Sequence, residues 1–146
     1  MFKFEIINPP KSFIIKDEII SSIFKEISLI ENKDISGILN IVFVSNKEIQ
    51  ELNKKYRKID KITDVLSFHY YDDFSNLDKE EIAGEIILSE DKIIEQGKEY
   101  KLGNELEFYK LLIHSSLHIL GYDHESDEDY SIMKEKEDFI WNKIFN

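Results

Sequence analysis

Cysteine is absent from the 146 residues, and proline is nearly so, with two adjacent copies at 9 and 10. The first absence excludes disulfides and every thiolate metal site, and it fits a reducing cytoplasm. Long apolar runs are also missing: none approaches the roughly 18 residues of a membrane-spanning helix. The opening Met1-Phe2-Lys3-Phe4-Glu5 lacks a charged segment leading into an apolar one, so no signal peptide is expected. Basic charge is in deficit, with a formal net charge of −11. That balance argues against a protein that coats nucleic acid non-specifically. The deficit is uneven. Residues 47 to 61 hold six basic side chains against three acidic ones, and residues 125 to 146 hold seven acids against three lysines. Both stretches read first as solvated helix faces, the former with the capacity to form a local positive patch.

What is present is an ordinary globular composition, 42% hydrophobic and 34% charged. A chain of this length suits one domain, residues 1–146, and buries roughly 68–70% of its unfolded surface. Phe2 to Ile6 alternates with period two and predicts a strand. Ile19, Ile20, Ile23, Phe24 and Ile27 recur at helical spacing within 17–30. The β-branched run 38–44 predicts a buried strand. Ser45 and Glu48 form a capping box, so a helix follows to about Tyr56. Residues 64–68 and 85–88 read as two further strands, with Gly84 marking a tight start to the second. Ser89 caps a helix from about Glu90, and a long helix runs from Asn104 to near Gly121. Ser126-Asp127-Glu128-Asp129 opens a last helix, its acids placed where the helix dipole favours them. The acid-rich stretch 71–81 reads as a loop. Phe108, Tyr109, Phe139 and Trp141 are expected in the core. The fold class is therefore α/β: a single compact domain with a mixed sheet of about four strands flanked by about five helices. The order of strands in the sheet is not legible at this level.

Three of the four histidines fall within eleven residues, at His114, His118 and His124. The first two are four apart on a predicted helix, so both imidazoles leave one face. Such a pair can reach one ion at about 2.0–2.1 Å. Gly121 lets the backbone turn so that His124 supplies a third ligand. Three protein ligands leave a position open for water or substrate, the pattern of a catalytic zinc site. A structural site wants a fourth ligand, for which His69 and Asp123 are the candidates. The spacing also matches metzincin-type peptidases. Those place a Glu directly after the first histidine as general base, and here that residue is Ser115.

The stretch His114-Ser115-Ser116-Leu117-His118-Ile119-Leu120-Gly121-Tyr122-Asp123-His124 resembles the signature of the YbeY family, bacterial metal-dependent endoribonucleases of ribosomal RNA maturation. Two more blocks resemble it in the same order. One runs from Leu52-Asn53 through Tyr56-Arg57 to Thr63-Asp64-Val65-Leu66-Ser67-Phe68, and the other is Gly84-Glu85-Ile86-Ile87-Leu88-Ser89. The chain departs from the family pattern at Ser115 (usually Gly), His69 (usually Pro) and Glu85 (often Asp), and no departure removes a ligand. The resemblance implies one zinc held by the three histidines and activity dependent on Arg57. It also implies single-stranded RNA as substrate, with work in small-subunit ribosomal RNA processing and ribosome quality control.

On that basis the chain is expected to be a cytoplasmic metallo-endoribonuclease that meets ribosomal RNA and the ribosome or its proteins, with no membrane partner. Arg57 would assist at the phosphate, since its planar fork suits that group. Asp123 and Asp64 would support from the second rank, orienting His124 or a water. Tyr122 is a candidate to stack on a base, or else a helix-end tyrosine. Imidazole ligands also suit nickel, copper and iron, so the metal is not fixed by the ligands alone. The competing classes are a ribosome-associated binding protein with a structural zinc and, more remotely, a zinc peptidase.

Overall fold

Alternation of apolar side chains at Phe2, Phe4 and Ile6 places strand β1 at Lys3–Ile7. The computed structural model describes residues 1–146. Helix α1 follows at Asp17–Glu31, burying Ile20, Ile23, Phe24 and Ile27 along one stripe. Strand β2 (Ile38–Val44) leads into α2 (Asn46–Arg57), where the capping box forms as expected, with Ser45 Oγ accepting from the Glu48 N–H. Strands β3 (Val65–His69) and β4 (Ile82–Ser89) come next, then α3 (Glu90–Glu99), α4 (Asn104–Ile119) and α5 (Asp127–Phe145). The element order agrees with the sequence pattern. Strand β4 starts three residues earlier than its apolar run suggested, because its first residues pair with β2 and β3 rather than bury large side chains.

The four strands form one mixed sheet in the order β1-β2-β4-β3, with β3 the antiparallel edge strand. Side chains alternate across it. Leu39, Ile41, Phe43, Ile86 and Leu88 join a core of 23 buried residues shared with α1, α3, α4 and α5. The other face is thin: Ile49, Leu66 and Ile87 form a small cluster with Leu52 and Phe68 beneath α2. The acidic segment 71–81 is a loop, yet Phe74 in it is buried edge-on against Phe2. Phe108, Tyr109 and Trp141 pack in or against the core. Phe139 does not. It is 49% exposed, because α5 buries only the stripe of Met133 and Ile140 and Phe139 falls beside it.

Gly84 also differs from its expected role. It lies inside β4, opposite His69, rather than at a turn before it. A Cβ there would sit 2.4 Å from the Phe68 carbonyl oxygen, so glycine is what allows β3 to approach. Replacing Gly84 with Ala should push the edge strand outward and cost roughly 1–3 kcal/mol, by the usual penalty of overpacking. Urea denaturation beside the wild type checks this, with the midpoint lowered.

Candidate metal centre

Helix α4 is the element on which the centre is built. Ten of its residues are buried, from Glu107 to Ile119, and they lie on nearly all sides of the helix. One stripe stays partly open, with Lys110, His114 and His118 at successive steps of four. Ser115, the position where the peptidase pattern wants a Glu, is buried and off that stripe.

The helix ends in a Schellman turn. Gly121 takes φ 103°, its N–H reaches the His118 carbonyl at 3.0 Å, and the Tyr122 N–H reaches the Leu117 carbonyl at 3.1 Å. Glycine adopts that conformation without strain. The turn has a chemical consequence. It brings the Tyr122 carbonyl to 2.9 Å from His118 Nδ1. Across the helix pair, Glu137 of α5 places a carboxylate oxygen 2.6 Å from His114 Nδ1. Each acceptor fixes a proton on Nδ1, so both rings carry their lone pair on Nε2. Those two Nε2 atoms face each other at 3.0 Å. The third histidine closes the group, and one ligand atom from each of the three lies within 4.8 Å of the others. Two nitrogens about 2.0–2.1 Å from a tetrahedral ion are separated by about 3.3 Å, so the set fits a divalent ion of zinc's kind. Burial, and then the neighbouring His114, hold His118 below the ordinary histidine range, which keeps it neutral and able to ligate.

The histidines open into a cleft of about 580 Å³ between α4 and the edge strand β3. Arg57 lines it from the last residue of α2, without a hydrogen-bond or ion-pair partner of its own. Thr63, Asp64, Ser67 and His69 line the β3 side. The loop that carries Thr63 and Asp64 is tied back to α2 by buried Asn53, whose Nδ2 donates to the Lys61 carbonyl at 3.0 Å. His69 is in the cleft but outside the three-histidine group, its Nδ1 lying 3.2 Å from the Tyr71 carbonyl. Asp64 accepts from Gln96 at 3.2 Å. Asp123 Oδ1 accepts from the Glu125 N–H at 3.3 Å, within the turn that carries His124. The Tyr122 hydroxyl donates to Glu31 of α1 at 2.7 Å, and burial followed by that bond pushes its pKa up to about 12. Its ring packs against the core, which favours the helix-end role over base stacking.

The residue in contact with the histidines that was missed from the sequence is Glu137. A signal was there: Met133, Ile140 and Ile144 define the inward stripe of α5, and a carboxylate at 137 interrupts it.

Comparison with known proteins shows the family. The family model described as endoribonuclease YbeY matches residues 10–145. The chain belongs to the YbeY family of endoribonucleases. It is 43% identical over 137 residues to the endoribonuclease YbeY of Clostridioides difficile, covering 89% of this chain and 88% of that one. It is 40% identical over 136 residues to that of Finegoldia magna, covering 91% and 88%. The solution structure of TM1509 from Thermotoga maritima superimposes with a TM-score of 0.57 at 28% identity, covering 97% of this chain and 91% of that one. The family match takes in all three YbeY-like blocks and every residue of the cleft named above.

Removing the Glu137 carboxylate should loosen His114 rather than unfold the helix pair. Glu137→Ala is expected to weaken metal binding about 10–100-fold, with Glu137→Gln closer to wild type because an acceptor remains. A competition titration against a coloured chelator measures both.

Proposed function

We propose that residues 1–146 act as one single-strand-specific metallo-endoribonuclease, working in the cytoplasm on ribosomal RNA during small-subunit maturation and ribosome quality control. Membership of the YbeY family supports the reaction class. The observation that carries the reading is the convergence of three imidazoles, two with Nδ1 held by acceptors, in an open cleft that also contains an unpartnered arginine. No helix is long and apolar enough to cross a membrane.

His114, His118 and His124 would hold the ion, which we take to be zinc because three protein ligands with a fourth position open is the pattern of a catalytic zinc site. Such an ion supplies Lewis-acid polarisation of a phosphoryl oxygen. The chain's own residues do the rest. Arg57 sits at the carboxyl end of α2, where the helix dipole and an exposed setting suit a cation, and its guanidinium is free to pair with the charge that develops on the phosphate. The Lys54–Lys61 stretch around it extends a positive surface for the strand on either side. Asp123 shapes the turn that presents His124, and Asp64 anchors the cleft wall through Gln96. Two acceptors leave His114 and His118 with one tautomer, so neither ring has to reorganise when an ion binds.

The competing classes fare less well on geometry. A structural zinc wants a fourth protein ligand, and no further His, Asp or Glu joins the three. A peptidase wants a carboxylate where buried Ser115 stands.

Cleavage of a single-stranded RNA by wild type, His118→Ala and Arg57→Ala, with metal content read on the same samples, tests the proposal. Wild type should carry one metal per chain and cut single strands in preference to duplex. His118→Ala should lose both metal and activity. Arg57→Ala should keep its metal and lose about 10²–10³-fold in kcat. Metal-loaded wild type that leaves RNA intact, or equal cleavage by all three, contradicts the assignment.

A further inference from the structure

Resting on the endoribonuclease reading, one group in the cleft remains without a role. Lys110 precedes His114 by four residues, so its side chain leaves α4 on the same open stripe, about 6 Å along the helix axis from the first histidine. Its ammonium is not a free surface charge. It lies 2.6 Å from Oε1 of Glu107, a carboxylate with no exposed surface, and 4.2 Å from the centre of the Tyr100 ring. Gln96 completes the arrangement, its Nε2 donating to Glu107 Oε2 at 3.3 Å and to Asp64 Oδ2 at 3.2 Å. Glu107, Gln96 and Tyr100 thus fix the position of one cation, which still lines the cleft and is 40% exposed.

A buried carboxylate accounts for a lysine nearby, because an unpaired charge there is costly. It does not account for that lysine facing the cleft. An ammonium has three donors, and Glu107 is its single ion-pair partner in the structure. The other cation of the lining is Arg57, on the opposite side. The carboxylates of the lining are engaged elsewhere, Glu137 by His114 and Asp64 by Gln96. One held cation, Lys110, and one unpartnered cation, Arg57, therefore flank the histidines with donors to spare.

We propose that Lys110 forms a second phosphate subsite, which holds the phosphodiester next to the one that reacts. A single strand carries one phosphate per nucleotide, so a cation about one helical turn from the first histidine is placed to meet a phosphodiester neighbouring the one at the histidines. Lys110 would then set register, with Arg57 acting at the reacting group. The buried Glu107 serves as the anchor that keeps the ammonium in place between turnovers.

Binding of a short single-stranded 2′-O-methyl oligoribonucleotide, followed by fluorescence anisotropy across a salt series, tests the subsite without depending on cleavage. The variant is Glu107→Gln with Lys110→Gln, which removes both charges and strands neither. We expect affinity to fall about tenfold and the slope of log K against log salt to shrink by about 0.7, the loss of one phosphate contact on a single strand. Lys110→Arg should keep the slope. A folded double variant with wild-type affinity and slope overturns the proposal. Acetylation of wild type with and without the oligonucleotide, read by mass spectrometry, covers the case of a variant that does not fold. Lys110 should be protected while Lys25, beside a separate depression near Met1, is not. Equal modification of Lys110 in both samples also overturns it. Wild type that binds through Lys110 but cuts no RNA would instead overturn the nuclease reading and leave the subsite standing.

Discussion

Helix α4 is buried on nearly every side, and the chemistry of the cleft depends on the stripe that remains. Phe108, Tyr109, Leu111, Leu112, Ile113, Leu117 and Ile119 lock it into the main core. Each such side chain contributes on the order of 1.5–3 kcal/mol of burial relative to exposure. A helix held that firmly has no freedom to rotate. Lys110, His114 and His118 therefore face the cleft because nothing else about the helix can. Rigid support of this kind is what a metal site needs, since ligands that must be ordered on binding weaken it.

Orientation of the rings is a separate matter from placement of the helix, and two different devices supply it. For His118 the device is local: a Schellman turn at Gly121 delivers a backbone carbonyl to Nδ1. For His114 it is distant in sequence, a carboxylate from α5 that sits in the middle of an apolar stripe. A glycine inside the histidine motif and a glutamate far outside it thus decide which nitrogen of each imidazole can bind. The opposite wall shows the same economy. Gly84 admits β3 to the sheet, and Asn53 ties the loop after α2, so that Arg57 and Asp64 meet the histidines across one cleft.

How much of this was legible in the sequence follows from the range of the interactions. Elements set by local rules were readable: the Ser45–Glu48 capping box, the buried run of β2, and the i, i+4 pair with a glycine behind it. The sheet order was not, because pairing β2 with β4 across β3 is a long-range choice with no local trace. Glu137 and Glu107 were missed for a related reason. A charged residue on a helix reads as solvated until its surroundings are known: the partner of Glu137 lies 23 residues away, and Glu107, though paired with Lys110 one turn along its own helix, is buried by the core packed around α4. Phe139 shows the converse error. Its aromatic ring suggested burial, but the helix phase set by Met133 and Ile140 leaves it outside.

Three imidazoles, and no fourth protein group, are expected to hold one metal ion in the cleft beside Arg57. X-ray absorption spectroscopy of the metal-loaded protein tests this most directly. The expected result is one ion per chain with three imidazole nitrogens at about 2.0–2.1 Å and one light-atom ligand that exchanges with added anions. A shell of four imidazoles, which would recruit His69, or a fixed carboxylate from Asp123 that does not exchange, would contradict it and make the site structural.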